Sequence, residues 1–102
     1  MKTYNKLVRD RIIEIIENDG RKANYRVLNQ EEYKIELNRK LQEEVKEYID
    51  ENCIEELADI VEVIYGLLGA MNVSIEDFEK VRLEKREKRG GFDKRLFLIE
   101  SE

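Results

Sequence analysis

The chain has 102 residues, which is enough for one small domain with a modest hydrophobic core. It contains no histidine and one cysteine, and its net charge is −5. Sites that need a histidine base, histidine-bound zinc or several cysteines are therefore excluded, and catalysis would rely on carboxylates, Lys, Arg, Tyr or a bound metal. No window approaches the roughly 18 apolar residues of a membrane span, and no signal peptide opens the chain, so we expect a cytoplasmic protein without a membrane partner.

The composition is rich in helix-forming residues and lacks proline, which predicts an all-α protein with a single domain over residues 1–102. Apolar residues at helical spacing predict a first helix over residues 6–18, ended by Asp19–Gly20. A polar connector follows, in which "YRVL" is compatible with a short extended piece. Asn29 is typical of a helix N-cap with an acid three residues later, and predicts a second helix over about residues 31–50.

A third helix is predicted over residues 54–71, and a fourth, capped by Ser74, ends near residue 89 at Gly90–Gly91. The last residues should form a short, partly extended tail. The third helix carries apolar residues on two opposite faces, one with Leu57, Val61, Ile64, Leu68 and Met71 and the other with Val63, Leu67 and Ala70. In so short a chain, this pattern predicts a four-helix-type bundle that a second subunit completes.

The charge is unevenly distributed along the chain. Residues 43–62 contain nine acids and one base, whereas residues 80–95 contain eight bases and three acids. The acidic block disfavours general nucleic-acid binding, so no nucleic-acid partner is expected. The basic block suits a smaller anion, such as a phosphate chain.

Two predicted helices each carry a pair of carboxylates three residues apart. Glu44 lies within the apolar stripe of the second helix, where an unpaired charge is costly, and Glu47 is one turn further on. Glu56 and Asp59 form the matching pair on the third helix. If the two helices pack antiparallel across the short connection, the pairs face each other and need a cation between them. Because only oxygen ligands are present, that cation should be hard, either Mg²⁺ or Mn²⁺.

Plainer interpretations of the same residues remain open. Acid runs on helices usually face water. Lys85 and Arg89 are either phosphate ligands or a solvated basic helix end. Arg9 belongs either to a phosphate site or to a surface ion-pair cluster, and Cys53 is interpreted as incidental.

The residues also carry a family resemblance that spans residues 4–98. "EEVKE" followed by "ELAD" resembles the E-E-x-x-E … E-x-x-D signature of the all-α nucleoside triphosphate pyrophosphohydrolases, the MazG-like superfamily. The opening "YNKLVRDRI" and the closing "KREKRGGFDKRLFL" resemble the ends of its phosphoribosyl-ATP pyrophosphohydrolase-like branch. One departure is the connection between Glu47 and Glu56, which is shorter than is common in the family.

The resemblance implies a homodimer or homotetramer that performs Mg²⁺-dependent cleavage of a nucleotide between its α- and β-phosphates. Glu44, Glu47, Glu56 and Asp59 would be the metal ligands. Glu43 would be an auxiliary ligand or the residue that orients or deprotonates the attacking water. The phosphates would be held by Lys6, Arg9, Lys85, Arg89, Gly90 and Gly91.

The substrate class implied first is a nucleoside triphosphate or a related nucleotide, such as a non-standard nucleotide that the cell clears. The alternatives are a non-catalytic helical module that binds a nucleotide or a protein, and a phosphoribosyl-ATP pyrophosphatase of histidine synthesis. Kinship at the level of the fold does not decide between substrates.

Overall fold

A computed structural model describes residues 2–102, and this part of the chain contains four α-helices and no strand. In chain order they are α1 (Ile12–Asn18), α2 (Gln30–Glu51), α3 (Ile54–Ala70) and α4 (Ile75–Arg89). The predicted all-α class is confirmed, and α2, α3 and α4 begin and end close to their predicted bounds.

The first helix is shorter than the apolar spacing predicts. It begins at Ile12, after an N-cap at Arg11 that makes no side-chain cap bond, rather than at residue 6. Leu7 packs against the hydrophobic core and Val8 lines a cleft, so these apolar residues belong to a non-helical segment despite their helical spacing. The predicted end is right, since Gly20 follows with a φ of 77°, which glycine adopts without strain.

Side-chain caps start α2 and α4 at the expected residues. The Asn29 side chain accepts a hydrogen bond from the Glu32 N–H at 2.8 Å, and the Glu32 carboxylate accepts one from the Asn29 N–H at 3.3 Å. The Ser74 hydroxyl accepts one from the Asp77 N–H at 3.1 Å. Each bond satisfies an N–H group that has no partner inside its helix.

Helices α2 and α3 pack against each other as an antiparallel pair. Asn52 joins them in a left-handed conformation (φ 52°, ψ 44°), which ends α2 and turns the chain. Further along, Gly66 of α3 lies against the side chains of Leu37 and Tyr33 of α2. The buried core of this pair consists of Leu37, Val63 and Ala70, with Leu7, Tyr33, Leu41 and Leu67 packed partly buried against it.

The two apolar faces of α3 differ in exposure. Val63 and Ala70 face α2 and are only 7% and 8% exposed. On the other face Leu57 and Val61 are 44% and 42% exposed, although Leu68 is buried. A single chain therefore covers one face of α3 and only part of the other.

The chain divides into two compact units, one that ends at Asn72 and one that spans Val73–Glu102. The second unit contains α4 and the tail. Gly90 ends α4 with a φ of 83°, and its N–H donates to the Arg86 carbonyl at 2.7 Å. The tail after Gly91 contains neither helix nor strand. The single domain over residues 1–102 stays a prediction.

Helix lengths bear on the expectation about membranes. α3 has 17 residues and α4 has 15. Within residues 2–102, no single helix is both long enough and apolar enough to cross a membrane. By length and composition alone, α3 and α4 pass this criterion only as a pair with a sharp bend at the break between them.

Candidate metal centre

One carboxylate of α2 is buried among the apolar residues of that helix. Glu44 is 7% exposed, and it lies on the same side of α2 as Leu37 because seven residues make almost two full turns. Its Oε2 atom is buried and has no hydrogen-bond partner. Its Oε1 atom lies 3.7 Å from the Nζ atom of Lys40, which is longer than a hydrogen bond. A buried carboxylate oxygen is costly unless a ligand satisfies it.

The start of α3 brings two further carboxylates to Glu44. Glu44, Glu56 and Asp59 each place one oxygen so that the three atoms lie within 4.8 Å of one another. The Oε2 atom of Glu56 is also buried without a hydrogen-bond partner. The short connection between the helices thus allows three of the four predicted ligands to meet.

The fourth predicted ligand, Glu47, lies at the edge of this group. It is exposed, and it is not one of the three residues whose oxygens converge. Its charge nevertheless acts on the group, because it raises the pKa of both Glu44 and Glu56. Glu43 is half-buried on α2, outside the converging group.

Burial and mutual repulsion shift the proton affinities of these acids. The pKa of Glu56 rises to about 7, first because its carboxyl is desolvated and then because of the charge of Glu47 and a hydrogen bond shared with it. Burial, followed by the charge of Glu47, also raises the pKa of Glu44, against the opposing effect of Lys40. A cation among these oxygens would favour the ionised forms instead.

The set of donor atoms suits a hard divalent cation. All three donors are carboxylate oxygens, which Mg²⁺ and Mn²⁺ prefer over sulfur or nitrogen. A cation in this group would lie beside Glu44 and Glu56, which each carry a buried Oε2 atom without a hydrogen-bond partner. The group can therefore hold a metal ion, and carboxylates alone do not distinguish Mg²⁺ from Mn²⁺.

A second group of potential ligands shares Glu56. Donor atoms of Glu51, Cys53 and Glu56 also lie within 4.8 Å of one another. Cys53 is half-buried at the N-cap of α3 and makes no side-chain cap bond there. A thiolate suits a softer ion than Mg²⁺, so the two groups would hold different metals and compete for Glu56.

A small basic cleft of about 220 Å³ lies beside the acids. Its lining consists of Lys6, Val8, Arg9, Ile12 and Lys40. Arg9 reaches the acids directly, since its Nη1 atom donates a hydrogen bond to Asp59 Oδ1 at 3.3 Å. Its Nη2 atom lies 4.0 Å from Glu62. The structure thus brings Lys6 and Arg9, two predicted phosphate ligands, to the same cleft, and Arg9 is engaged in an ion pair.

Lys40 also belongs to this site, although the sequence pattern did not single it out. Its side chain is 16% exposed and lines the cleft, and its ammonium forms the ion pair with the buried Glu44. The available signal was its position four residues before Glu44, which places both side chains on one side of α2.

The second unit carries its own basic cleft, with a volume of about 540 Å³. Its lining consists of Arg82, Lys85, Arg86, Arg89, Gly90, Gly91 and Phe92. The phosphate ligands predicted near the end of α4 therefore face one common space. Arg82 is held by Glu79, with 2.7 Å between Nη2 and Oε2.

Comparisons with known proteins found no match to this chain among protein-family models, curated proteins or solved structures. The resemblance to the MazG-like pyrophosphohydrolases therefore stays a prediction from the sequence. The convergence of the acids is observed independently of that resemblance.

Proposed function

We propose that this chain is a Mg²⁺-dependent nucleotide pyrophosphohydrolase of the MazG-like superfamily. It cleaves a nucleoside triphosphate or a related nucleotide to a monophosphate and pyrophosphate. The observation that carries the proposal is the convergence of Glu44, Glu56 and Asp59, with the Glu44 Oε2 atom buried and without a hydrogen-bond partner. Mn²⁺ is expected to replace Mg²⁺, because both prefer oxygen ligands.

The acids divide into ligands and a water-positioning group. Glu44, Glu56 and Asp59 hold the cation, and Glu47 completes the set from the edge. Glu43, beside the ligands on α2, orients or deprotonates the attacking water. The bound cation supplies positive charge to the phosphate oxygens, so that electrostatic stabilisation dominates the rate enhancement.

The basic residues bind the phosphate charge. Lys6 and Arg9 line the cleft beside the acids, and this location supports their proposed role as phosphate ligands. Lys85, Arg89 and the backbone amides of Gly90–Gly91 form a second phosphate-binding surface in their own unit. Arg9 exchanges its ion pair with Asp59 for a phosphate when the cation takes over that carboxylate.

The assembly is proposed to be a homodimer or homotetramer. The support for it is the exposed face of α3, where Leu57 and Val61 remain more than two-fifths exposed in the single chain. A second subunit on this face would bury them and complete a four-helix-type bundle.

The test is product analysis with a panel of standard, non-standard and phosphoribosyl nucleotides in the presence of Mg²⁺. We expect equal amounts of monophosphate and pyrophosphate from at least one nucleotide. Glu44→Gln and Asp59→Asn should lower the rate about 100-fold or more, because each removes a cation ligand. Glu55→Gln, an exposed acid of α3 outside the group, is the matched control and should leave the rate unchanged.

The panel also separates the alternatives. Cleavage of phosphoribosyl-ATP alone would favour the enzyme of histidine synthesis. Nucleotide binding without cleavage would favour the non-catalytic module. The proposed activity fails if no nucleotide is cleaved. The proposed cation site fails if Glu44→Gln and Asp59→Asn leave the Mg²⁺-dependent stability of the protein unchanged.

A further inference from the structure

Lys40, like Arg9, both contacts the acidic group and lines the small basic cleft, and its contact is with the buried Glu44. Its ammonium lies 3.7 Å from Glu44 Oε1, and the same side chain lines the cleft with Lys6 and Arg9. The Glu44 side chain is only 9% exposed, and its Oε2 atom has no hydrogen-bond partner. The flexible side chain of Lys40 thus lies between the buried carboxylate of Glu44 and a cleft whose positive charge suits another anion.

The contact between Lys40 and Glu44 is a weak form of pairing. At 3.7 Å it is an ion pair without a hydrogen bond, and it leaves one carboxylate oxygen unsatisfied. A divalent cation held by Glu44, Glu56 and Asp59 would neutralise Glu44 more completely. It would also repel the nearby ammonium of Lys40. The four-carbon stem of lysine can redirect this ammonium without moving α2.

The size and charge of the cleft limit what it can accept. Its volume of about 220 Å³ is below the range of about 300–1,000 Å³ typical of pockets for drug-sized ligands. Three cationic side chains line it, and Lys6 also lies 5.8 Å from the ring centre of Tyr4. The cleft therefore suits a small polyanion rather than a whole nucleotide.

We propose that Lys40 is the counter-ion of Glu44 in the metal-free protein and becomes a ligand of pyrophosphate, in the cleft it forms with Lys6 and Arg9, once a divalent cation binds. This role rests on the cation site of the proposed function, but it does not require hydrolysis. Lys40 is a positioning residue for the cation and a binding residue for the diphosphate group.

The first measurement is the affinity for Mn²⁺, by electron paramagnetic resonance at pH 8 without a phosphate ligand. Lys40→Met removes the competing charge. A neighbouring positive charge lowers the pKa of a carboxylate, and so its affinity for a proton, by about one to three units, and it should weaken the binding of a divalent cation by a similar factor. We therefore expect Lys40→Met to bind Mn²⁺ about tenfold tighter or more. Lys34→Met, which removes an exposed lysine of the same helix, should match the wild type. Equal or weaker Mn²⁺ binding by Lys40→Met would overturn the counter-ion role.

The second measurement is pyrophosphate binding by calorimetry, with Mg²⁺ in excess over pyrophosphate. Lys40→Met should now bind pyrophosphate about tenfold more weakly, because one charge-assisted contact is lost. The two affinities thus change in opposite directions, which a general loss of structure would not produce. Unchanged pyrophosphate binding would overturn the ligand role. If Lys40→Met does not fold, Lys40→Gln removes the charge while keeping a polar side chain.

The outcomes separate this role from the proposed enzymatic function. A protein that shows both opposite shifts but cleaves no nucleotide supports the role of Lys40 and contradicts the pyrophosphohydrolase. An active pyrophosphohydrolase whose Lys40→Met variant binds Mn²⁺ and pyrophosphate like the wild type contradicts the role of Lys40 alone.

Discussion

At the scale of single residues, burial separates acids that look alike in the sequence. Glu44 is 7% exposed, whereas Glu55, which is the same residue type and also helical, is exposed. The difference follows from helix geometry, because Glu44 lies on the side of α2 that packs against α3. The burial of Glu44 could be predicted from its place in the apolar stripe. The spacing of four residues also puts Lys40 on the same side of α2, but the 3.7 Å contact itself depends on side-chain conformations in a packed site and could not be predicted.

The raised pKa of Glu56 predicts how stability depends on pH in the presence of a chelator. The pKa rises from 4.5 to about 7 on folding, so between these values the folded protein binds more protons at Glu56 than the unfolded chain does. The contribution of Glu56 to the free energy of unfolding should therefore be fully present below pH 4.5 and should be lost as the pH rises to about 7. Urea titrations across this range measure the effect.

Two variants test whether Glu56 causes this pH dependence, with Glu56→Gln as the test and Glu55→Gln as the control. Glu56→Gln should make the fall in stability smaller, while Glu44, whose pKa is shifted in the same direction, retains a part of it. Glu55→Gln should leave the fall unchanged. Above pH 7, Mg²⁺ should restore stability in the wild type, because it binds the folded state. The predicted sign would be contradicted if the free energy of unfolding of the wild type rose between pH 4.5 and 7 and if this rise were absent from Glu56→Gln.

At the scale of the elements, the sequence predicts α2, α3 and α4 better than α1. Asn29 and Ser74 are strong local cap signals, and their hydrogen bonds form as expected. The segment before Ile12 shows apolar spacing without a cap, and tertiary contacts of Leu7 decide its conformation instead. Local signals therefore suffice for α2 and α4, where a side chain caps the first turn, and fail before α1, where packing against distant residues decides.

The closeness of α2 and α3 can be tested at two glycines of α3. A Cβ atom at Gly66 would lie 3.0 Å from Leu37 Cδ2, whereas one at Gly69 would have nothing within 4 Å. Gly69→Ala should stabilise the protein by about 1 kcal/mol through helix propensity alone. Gly66→Ala should be less stable than Gly69→Ala by about 1–3 kcal/mol, because Leu37 is buried and must shift. Thermal unfolding of both variants measures the difference, and equal gains would contradict the tight contact.

At the scale of the whole molecule, the buried core is small and many large apolar side chains are exposed. Leu57 and Val61 of α3 are substantially exposed, and so are the apolar side chains of the tail, such as Phe97 at 90%. The two-faced pattern of α3 already predicted an uncovered face from the sequence. Which surface covers it could not be predicted, because a partner leaves no periodic signal of its own.

If the protein is an oligomer, light scattering after size-exclusion chromatography should give a mass larger than the 12.2 kDa of one chain. Val61→Asp places a charge on the uncovered face and should shift the protein towards the monomer. Val27→Asp, the same change at a residue of the connector that is 87% exposed, should leave the mass unchanged. A wild type that is monomeric at all concentrations, or a Val61→Asp variant with the wild-type mass, would contradict the assembly.

The most direct test of the cation site is an anomalous diffraction map from crystals soaked with Mn²⁺. We expect one peak between α2 and α3, with carboxylate oxygens of Glu44, Glu56 and Asp59 at about 2.1 Å. This result would place the ion beside Glu44 and Glu56, the two residues that each carry a buried oxygen without a hydrogen-bond partner. The absence of a peak at these residues, or a peak held by Glu51 and Cys53 instead, would contradict the site.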